Sequence, residues 1–592
     1  MYAQVIVDIA HSEVDRLFTY AVPGDMVLKP GQHVLVPFGR GNKPIEGFVL
    51  GFMEEAPEDM AGRIKPVLRV LEPYPIFTGE QLELARWMQQ NYHCVLVDAL
   101  RLMIPAQLRG GRIGEKTVRT VQLADGVDIE AARASLLKKD GTQKAPRQSE
   151  VLELLAKTGA PMSVRDIAAF LPGAEGAVAA LIKKGLIAEE NCVTFRRPNL
   201  QSRESVPVAL TAEQNRAVEA VTEGMQRGNG VYLLHGVTGS GKTEVYMHCI
   251  SRCIAGGKQA ILLVPEIALT PQTMGLFRAR FGDNVAVMHS RLSAGERFDE
   301  WRRIRLGMVQ VAVGARSAVF APFENLGLLI VDEEHEPTYQ SELSPRYQAV
   351  EVAKKRASMA KAPLILGSAT PSIQSYYRAK TGVYTLIELT ERVHKRPMPE
   401  IKIVDMRQEF LRGNTGIFSG ALYNALNECL RAKKQAILFI NRRGYSTFVS
   451  CRACGYVFQC SDCDISMTYH RTEECVKCHY CGHTEAVPTA CPSCGQPFIK
   501  YFGVGTQQVE EQLREHFPNV TALRMDLDST RTKDAHETLL STFARGEAQV
   551  LIGTQMVAKG LDFPEVTLVG VVAADSSLYL PDYRSAERTF QL

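Results

Sequence analysis

The sequence lacks a strong net charge, a long apolar run and a bias toward any residue class. Lys and Arg exceed Asp and Glu only 68 to 65, so any basic surface must be local. Hydrophobic residues make up 45% and charged residues 22%, an ordinary globular composition that excludes disordered and fibrous classes. The longest apolar runs are strand-length, as at 260–264, and fall well short of the roughly 18 residues that a membrane span needs. At roughly 150 residues per domain, the 592 residues predict about four domains.

The beginning of the sequence also lacks the basic region and apolar core of a signal peptide. Cysteine is unevenly distributed, because nine of the 14 lie between Cys451 and Cys494. In a reduced compartment such a cluster indicates a metal site rather than a set of disulfides. We therefore expect a cytoplasmic protein that binds metal through this cluster and does not associate with a membrane.

Two regions of different patterning occupy the first 200 residues. Residues 1–105 contain short strand-like segments separated by Pro-Gly turns, which predicts a small β-rich, barrel-like domain. Residues 106–200 predict a winged helix, with three helices at 147–157, 163–170 and 175–184 and a two-stranded wing at 185–187 and 193–197. A modest local excess of basic residues favours DNA contact by this domain, and contact with a protein is the alternative.

The remainder of the chain alternates apolar strands with helical stretches, which is typical of parallel α/β sheets. Two series of strands predict two lobes, and the cysteine cluster interrupts the second. The expected parts are lobe 1 at 207–395, the first part of lobe 2 at 396–450, a zinc-binding insert at 451–498 and the second part of lobe 2 at 499–592. The predicted fold class is a multidomain α/β protein with a β-rich domain and a winged helix before the two lobes.

A phosphate-binding loop begins lobe 1. Residues 236–243 follow the apolar strand at 231–234 and precede a predicted helix. They match the phosphate-loop motif G-x-x-x-x-G-K-[ST]. Its backbone N–H groups and the helix N-terminus are suited to bind phosphate oxygens. Lys242 can reach the β- and γ-phosphates, and Thr243 can bind Mg²⁺. The predicted ATP-binding residues of this loop are Gly236, Val237, Thr238, Gly239, Ser240, Gly241, Lys242 and Thr243.

An acidic motif follows about 90 residues later, at the end of the apolar strand at 328–331. A carboxylate in this position can hold Mg²⁺ against the phosphate loop. We therefore predict Asp332 as the magnesium carboxylate, Glu333 as the base for the attacking water and His335 as a further catalytic residue.

The cysteines form four Cys-x-x-Cys pairs, enough for two tetrahedral four-thiolate zinc sites. Cys475 also lies three residues before Cys478, but glycine follows the second cysteine of three other pairs, so Cys475 is predicted to be a spare. The predicted ligands are Cys451, Cys454, Cys460, Cys463, Cys478, Cys481, Cys491 and Cys494. Sequential pairing would leave a tight connection between Cys454 and Cys460, which favours nesting of the two middle pairs inside the two outer pairs. Sites with four thiolates leave no position open for water, so both Zn²⁺ ions are expected to be structural.

The phosphate loop and the D-E-x-H motif resemble those of superfamily-2 helicases, which consist of two RecA-like lobes. In that superfamily an upstream glutamine, here Gln214, contacts adenine. Segments at 264–270, 367–371, 439–444 and 553–562 resemble its motifs Ia, III, IV and V in order and spacing. The resemblance implies an ATP-driven motor that grips a single strand mainly through its phosphates.

With the double cysteine insert, the chain closely resembles the PriA family of replication-restart helicases over essentially its whole length. The resemblance implies a 3′-to-5′ DNA helicase that binds abandoned replication forks and initiates restart by primosome assembly. It also implies an N-terminal pocket for the 3′ end of a nascent strand, with Phe18 and Tyr20 sandwiching the terminal base. The pocket positions are Phe18, Thr19, Tyr20, Gly39 and Lys65. A loop at 340–347 resembles a DNA-sensing loop, with Arg346 and Tyr347 as the DNA contacts.

The expected cofactors are ATP, Mg²⁺ and two structural Zn²⁺ ions. The expected partners are forked and single-stranded DNA, primosome and helicase-loading proteins, and single-strand binding protein. A fork-binding scaffold that recruits the helicase loader without its own ATPase is the main alternative, and an RNA-directed motor is disfavoured by the zinc insert. Because the sequence stops at Leu592, before an arginine-bearing motif VI, we expect slow ATP hydrolysis by this chain.

Overall fold

The structure is a computed structural model of the 592-residue chain. It describes residues 1–56, 64–111, 114–137, 144–198, 208–266, 269–393, 397–441, 448–470, 473–501, 505–526, 535–554, 563–580 and 582–592. The chain forms two compact units, the first comprising Met1–Met103, Leu200–Arg291 and Gly307–Leu592, and the second comprising Ile104–Asn199 and Leu292–Leu306. Among the described residues, no helix has the length and apolar character needed to cross a membrane.

The N-terminal domain is an antiparallel sheet in the order β2-β1-β4-β3-β5. Its strands are β1 (Tyr2–Val7), β2 (Phe18–Ala21), β3 (His33–Phe38), β4 (Lys43–Met53) and β5 (Arg69–Val70). Ala21 of β2 exchanges backbone hydrogen bonds with Lys65 and Val67, close to β5, so the sheet closes on itself. This closure is the barrel-like shape predicted for the domain. Two helices follow, α1 (Gly79–Tyr92) and α2 (Leu96–Arg101), and Thr78 with Gln81 forms a capping box at the start of α1.

The second unit contains the region for which the sequence predicts a winged helix. Its elements are β6 (Lys116–Leu123), α3 (Ile129–Ala134), α4 (Pro146–Thr158), β7 (Met162–Ser163), α5 (Val164–Phe170), α6 (Glu175–Lys183) and β8 (Ile187–Thr194). The predicted two-stranded wing was wrong, because 187–194 forms one continuous strand that pairs with β6 in the sheet β7-β6-β8. The partner strand lies about 70 residues earlier in the chain, so local pattern did not reveal it.

Lobe 1 is built on a seven-stranded parallel sheet in the order β11-β12-β10-β13-β14-β9-β15. Its strands are β9 (Val231–Gly236), β10 (Gln259–Leu263), β11 (Val285–Met288), β12 (Val311–Gly314), β13 (Leu326–Val331), β14 (Leu364–Ser368) and β15 (Thr385–Leu389). The helices are α7 (Ala212–Arg227), α8 (Lys242–Ala255), α9 (Pro271–Phe281), α10 (Ala294–Arg305), α11 (Ala349–Met359) and α12 (Ile373–Lys380). Helix α10 belongs to the second compact unit although its sequence lies between β11 and β12. The central strands are buried along their length, as the apolar runs predict.

Lobe 2 has a four-stranded parallel sheet in the order β22-β23-β16-β24. Its strands are β16 (Gln435–Ile440), β22 (Ala522–Met525), β23 (Val550–Gly553) and β24 (Val566–Val572). The helices are α13 (Met406–Leu411), α14 (Gly420–Arg431), α15 (Thr506–His516), α16 (Ala535–Ala544) and α17 (Ser585–Gln591).

The cysteine-rich insert lies between β16 and α15 and contains two small antiparallel sheets. Its strands are β17 (Val449–Cys451), β18 (Thr468–His470), β19 (Cys475–Lys477), β20 (Thr484–Ala486) and β21 (Ile499–Tyr501). The pairing of β17 with β21 brings the two ends of the insert together. The cysteine-bearing turns therefore lie in one module whose ends are paired.

Candidate nucleotide, zinc and DNA sites

The phosphate loop connects β9 to α8, and Gly241 is the residue that precedes the helix. Gly239 and Gly241 have φ values of +82° and +80°, a backbone region that favours glycine. A Cβ on Gly236 would lie 2.6 Å from the Ser240 hydroxyl oxygen, so a larger residue there would displace the Ser240 side chain. The Lys242 ammonium donates a hydrogen bond over 2.8 Å to the Gly236 carbonyl, which holds it across the loop. The loop therefore has the local geometry that its motif predicts.

The acidic motif begins directly after β13, which pairs with β14 and β10 in the centre of the lobe 1 sheet. The Asp332 side chain accepts a hydrogen bond from the Tyr246 hydroxyl over 2.9 Å, and the Tyr339 hydroxyl donates to its backbone carbonyl over 2.7 Å. Burial raises the pKa of both tyrosine hydroxyls, so they remain protonated donors. Glu333 has a φ of +46°, which costs of order 1–3 kcal/mol in a non-glycine residue. The turn after β13 is thus held by two buried tyrosines in a strained conformation.

Contacts also join the acidic motif to the segment after β14. The Nδ1 atom of His335 lies 2.8 Å from the Ser368 hydroxyl oxygen, which accepts a hydrogen bond from the Thr370 amide. The buried Glu334 carboxylate accepts hydrogen bonds from the Ser372 amide and the Ser375 hydroxyl at the start of α12. Two consecutive residues of the acidic motif, Glu334 and His335, therefore contact the segment that leads from β14 into α12.

Gln214 lies beneath the phosphate loop. Its side chain is buried, caps α7 through the Thr211 amide and donates a hydrogen bond over 2.8 Å to the Ser240 carbonyl. The structure therefore brings Gln214 to the loop and gives it a supporting contact. Its predicted contact with adenine stays a prediction.

Sequence reasoning missed the segment that follows β15. The Val237 amide donates to the Leu389 carbonyl, and the Val393 amide donates to the Gly239 carbonyl. A Cβ on Gly239 would lie 3.1 Å from Nε of Arg392, so this guanidinium lies against the phosphate loop. The connection that leads toward lobe 2 therefore crosses the loop. The short segment 389–393 carries no motif of its own, and only the pairing of β15 with β9 reveals its position.

The eight predicted cysteine ligands form two groups. One contains Cys451, Cys454, Cys491 and Cys494, and the other contains Cys460, Cys463, Cys478 and Cys481. This is the nested arrangement, and Cys475 belongs to neither group; its thiol donates to Glu473. The sulfur atoms of Cys451 and Cys494 are 3.6 Å apart, and those of Cys454 and Cys491 are 3.7 Å apart. A tetrahedral zinc site has sulfur atoms roughly 3.8 Å apart, so the residues fit the ion.

Each cysteine pair is built on the same turn. The residue after the second cysteine has a positive φ and donates its amide to the carbonyl of the first cysteine. Glycine takes this position in three pairs, and Asp464, with a φ of +54°, takes it after Cys463. The glycine pattern used to select Cys478 over Cys475 thus reflects a real backbone requirement, which aspartate also tolerates.

The N-terminal pocket residues are only partly assembled as predicted. The Lys65 ammonium donates to the Gly39 carbonyl over 2.9 Å at the exposed edge of the sheet. Tyr20, however, is 4% exposed, packs in the domain core and donates its hydroxyl to the Pro37 carbonyl. Phe18 packs edge-on against Phe38 on the same face. The ring of Tyr20 thus lies in the domain core, and the base sandwich between Phe18 and Tyr20 stays a prediction. Thr19 lies on the opposite face of β2.

The predicted DNA-sensing loop also divides into exposed and buried parts. Arg346 is exposed, whereas Tyr347 is 3% exposed and packs against Phe320 and beneath the Arg316 guanidinium. The ring of Tyr347 is thus enclosed by residues about 30 positions earlier in the chain, and its predicted contact with DNA stays a prediction. Arg346 stays a prediction.

Parts of three expected motifs lie outside the described residues. They are 267–268 of motif Ia, 442–444 of motif IV and 555–562 of motif V. The described parts of motifs IV and V lie at the ends of β16 and β23, which are adjacent in the sheet of lobe 2.

Four family models match the chain. The model described as "3'DNA-binding domain (3'BD)" matches residues 4–105, and "PriA DNA helicase Cys-rich region (CRR) domain" matches residues 460–485. "Type III restriction enzyme, res subunit" matches residues 207–373, and "Helicase conserved C-terminal domain" matches residues 499–586. Together with the parallel sheets, these matches confirm the multidomain α/β helicase fold.

Proteins named Replication restart protein PriA resemble the chain over nearly its whole length. The protein of Bacillus subtilis is 43% identical over 658 residues, and the alignment covers 100% of this chain and 81% of that protein. The protein of Synechocystis sp. is 39% identical over 667 residues, and the alignment covers 100% of this chain and 79% of that protein. The protein of Haemophilus influenzae is 35% identical over 582 residues, with 98% and 77% covered. The chain belongs to the PriA family of replication restart helicases.

Proposed function

We propose that the protein is an ATP-dependent 3′-to-5′ DNA helicase that recognises stalled or abandoned replication forks and initiates restart by primosome assembly. The observation that carries this proposal is the meeting of three motifs at the carboxyl ends of adjacent strands. The phosphate loop follows β9, Asp332 follows β13, and Ser368 ends β14 between them. Ligands of open parallel sheets bind at this edge, and ATP is the ligand that a phosphate loop suits.

The proposed chemistry assigns a separate task to each residue. Lys242 and the loop amides bind the β- and γ-phosphates, and Thr243 and Asp332 supply the oxygen ligands that Mg²⁺ prefers. When bound, the ion neutralises charge that develops on the transferred phosphate. Glu333 orients and deprotonates the attacking water. His335 connects this step to Ser368 and so to the segment before α12, where the Ser372 amide donates a hydrogen bond to the Glu334 carboxylate.

The proposed DNA path uses the domains outlined from the sequence, with boundaries near residues 105, 200, 395, 450 and 498. Arg346 and Tyr347 sense the single strand at lobe 1. The N-terminal domain binds the 3′ end of a nascent strand through a pocket formed by Phe18, Thr19, Tyr20, Gly39 and Lys65. Forked and single-stranded DNA are thus the direct ligands. Primosome and helicase-loading proteins and single-strand binding protein are the further partners of such a function, which belongs in the cytoplasm with the bacterial chromosome.

Two structural Zn²⁺ ions are proposed for the two cysteine groups. Four thiolates fill a tetrahedral site, so neither ion is available to activate water. The insert has short strands and a small core of its own, so metal binding supplies much of its folding free energy.

The test is unwinding of forked duplexes that carry either a 3′ or a 5′ single-stranded tail, together with DNA-stimulated ATP hydrolysis. The proposal expects DNA-stimulated ATP hydrolysis, at the slow rate that the sequence predicts for this chain, and unwinding of the 3′-tailed duplex only. Lys242→Ala should lose both activities. Equal unwinding on either tail would overturn the polarity. A Lys242→Ala variant that still restarts forks in cells would favour the alternative, a fork-binding scaffold that recruits the loader without its own ATPase.

A further inference from the structure

Tyr246 lies at the junction of three motifs, and none of the roles assigned above uses it. It lies four residues after Lys242, on the helix α8 that begins at the phosphate loop. Its side chain is 1% exposed, and its hydroxyl donates to Oδ1 of Asp332 over 2.9 Å. The helix that carries the phosphate-binding lysine therefore also holds the acidic residue opposite it.

The same hydroxyl explains the glycine that begins the next motif. A Cβ on Gly367 would lie 1.7 Å from the Tyr246 hydroxyl oxygen, far closer than two unbonded atoms can approach. Glycine at 367 is therefore the space into which the hydroxyl fits. The next residue, Ser368, bonds to His335, so Tyr246 and His335 contact consecutive residues at the end of β14.

The backbone of Asp332 is fixed separately. Its amide donates to the Leu263 carbonyl of β10, and its carbonyl accepts from Tyr339. With the main chain held on both sides, the side-chain torsions decide where the carboxylate points. A hydrogen bond from a fully buried hydroxyl to one carboxylate oxygen restricts those torsions, as outer hydrogen bonds do for metal ligands in general.

We propose that Tyr246 is a positioning residue that orients the Asp332 carboxylate toward the magnesium ion of the bound nucleotide, with Gly367 providing the space this requires. The inference rests on the proposed role of Asp332. Tyr246 touches neither nucleotide nor metal and acts through the carboxylate. Loss of a hydrogen bond to a metal ligand typically lowers metal affinity by about 10- to 100-fold.

The test measures metal affinity separately from hydrolysis. Tyr246→Phe removes only the hydroxyl, and Mn²⁺ binding to the protein–ADP complex is followed by electron paramagnetic resonance. The expected result is a roughly 10- to 100-fold weaker Mn²⁺ affinity. Affinity for a fluorescent ADP in the presence of EDTA should stay unchanged, because the phosphate loop is intact.

The matched control is Tyr232→Phe. Tyr232 is also a buried tyrosine of lobe 1, but its hydroxyl lies against Gly224 of α7 and not against the acidic motif. This variant should bind Mn²⁺ like the parent. Thermal midpoints of both variants show whether removal of a buried hydroxyl unfolds the lobe.

A second variant keeps the inference testable if Tyr246→Phe fails to fold. Gly367→Ala should displace the hydroxyl from Asp332 and weaken Mn²⁺ binding in the same way, with less than additive loss when combined with Tyr246→Phe. Asp332→Asn distinguishes failure of the positioning role of Tyr246 from failure of the proposed role of Asp332. Normal Mn²⁺ affinity in Asp332→Asn would remove the proposed role of Asp332, whereas a loss there with normal affinity in Tyr246→Phe would overturn only the positioning role.

Discussion

The guanidinium of Arg356 joins lobe 1 to the N-terminal domain, and its removal is expected to loosen that connection. Arg356 lies on α11, is fully buried and bonds to both Glu80 carboxylate oxygens, at 2.8 and 3.4 Å. It also donates to the carbonyls of Val319 and Ala321, at 2.6 and 3.1 Å. Glu80 lies in the first turn of α1, so one side chain connects this helix of the N-terminal domain to the core of lobe 1.

The size of the effect follows from the burial of the two partners. Breaking a buried ion pair by removing one member costs about 3–5 kcal/mol. The Glu80 carboxylate retains 17% exposure, so water compensates it in part and the lower end, about 3 kcal/mol, applies to Arg356→Met. At about 1.4 kcal/mol per factor of ten, the amides of α1 should exchange with solvent roughly 100-fold faster.

Hydrogen exchange read by mass spectrometry measures this opening segment by segment. Lys354→Met is the control, because Lys354 is on the same helix but pairs at the surface with Glu351, an interaction of about 0.2–0.5 kcal/mol. In a double-mutant cycle with Glu80→Gln, the free energy of protection lost by the double variant should be smaller than the sum of the losses in the two single variants. Protection of 79–92 in Arg356→Met within twofold of the control would refute the reasoning.

Three further predictions concern zinc, pH and the DNA end. In the nested arrangement Cys451 and Cys460 belong to different sites, so the double variant Cys451→Ser/Cys460→Ser should hold no zinc by elemental analysis; one remaining zinc would indicate sequential pairing. Burial lowers the pKa of His33, but hydrogen bonds to Glu46 and Glu72 outweigh it and raise the pKa to about 9. The stability that this imidazolium gives the N-terminal domain is full below about pH 6.5 and disappears as the pH rises through 9, so exchange protection of β3 should fall over that window in the parent and not in His33→Gln. Lys65→Ala should weaken binding to forks with a free 3′-OH; equal affinity of the parent for 3′-OH and 3′-phosphate ends would remove the pocket.

Predictions that depend on a short stretch of chain agree with the structure. The phosphate loop lies between its strand and helix because glycines at 239 and 241 permit the backbone that the turn needs. The nested cysteine groups follow from spacing alone, since the tight connection between Cys454 and Cys460 disfavours the alternative. The first inference uses neighbouring residues, and the second uses the short Cys-x-x-Cys spacings and the short connection between two pairs, where backbone geometry limits the choices.

The burial of individual side chains was not evident from the sequence. Tyr20 and Tyr347 have the residue type and position of nucleic-acid contacts, yet both are core side chains. The sequence pattern of alternating residues suits a core face and a binding face equally well. The prediction of a two-stranded wing was wrong for a related reason, because β8 pairs with β6, a strand that the local pattern did not show.

By itself, the sequence determined the motor class, the phosphate loop, the acidic motif and the two zinc sites, because each is a local pattern whose chemistry requires particular residues at particular spacing. Only the tertiary structure decided which buried polar groups meet. Tyr246 bonds to a residue 86 positions away, and Arg356 to one 276 positions away. Such partners are chosen by how strands and helices pack, and packing is a property of the whole fold that no short segment specifies.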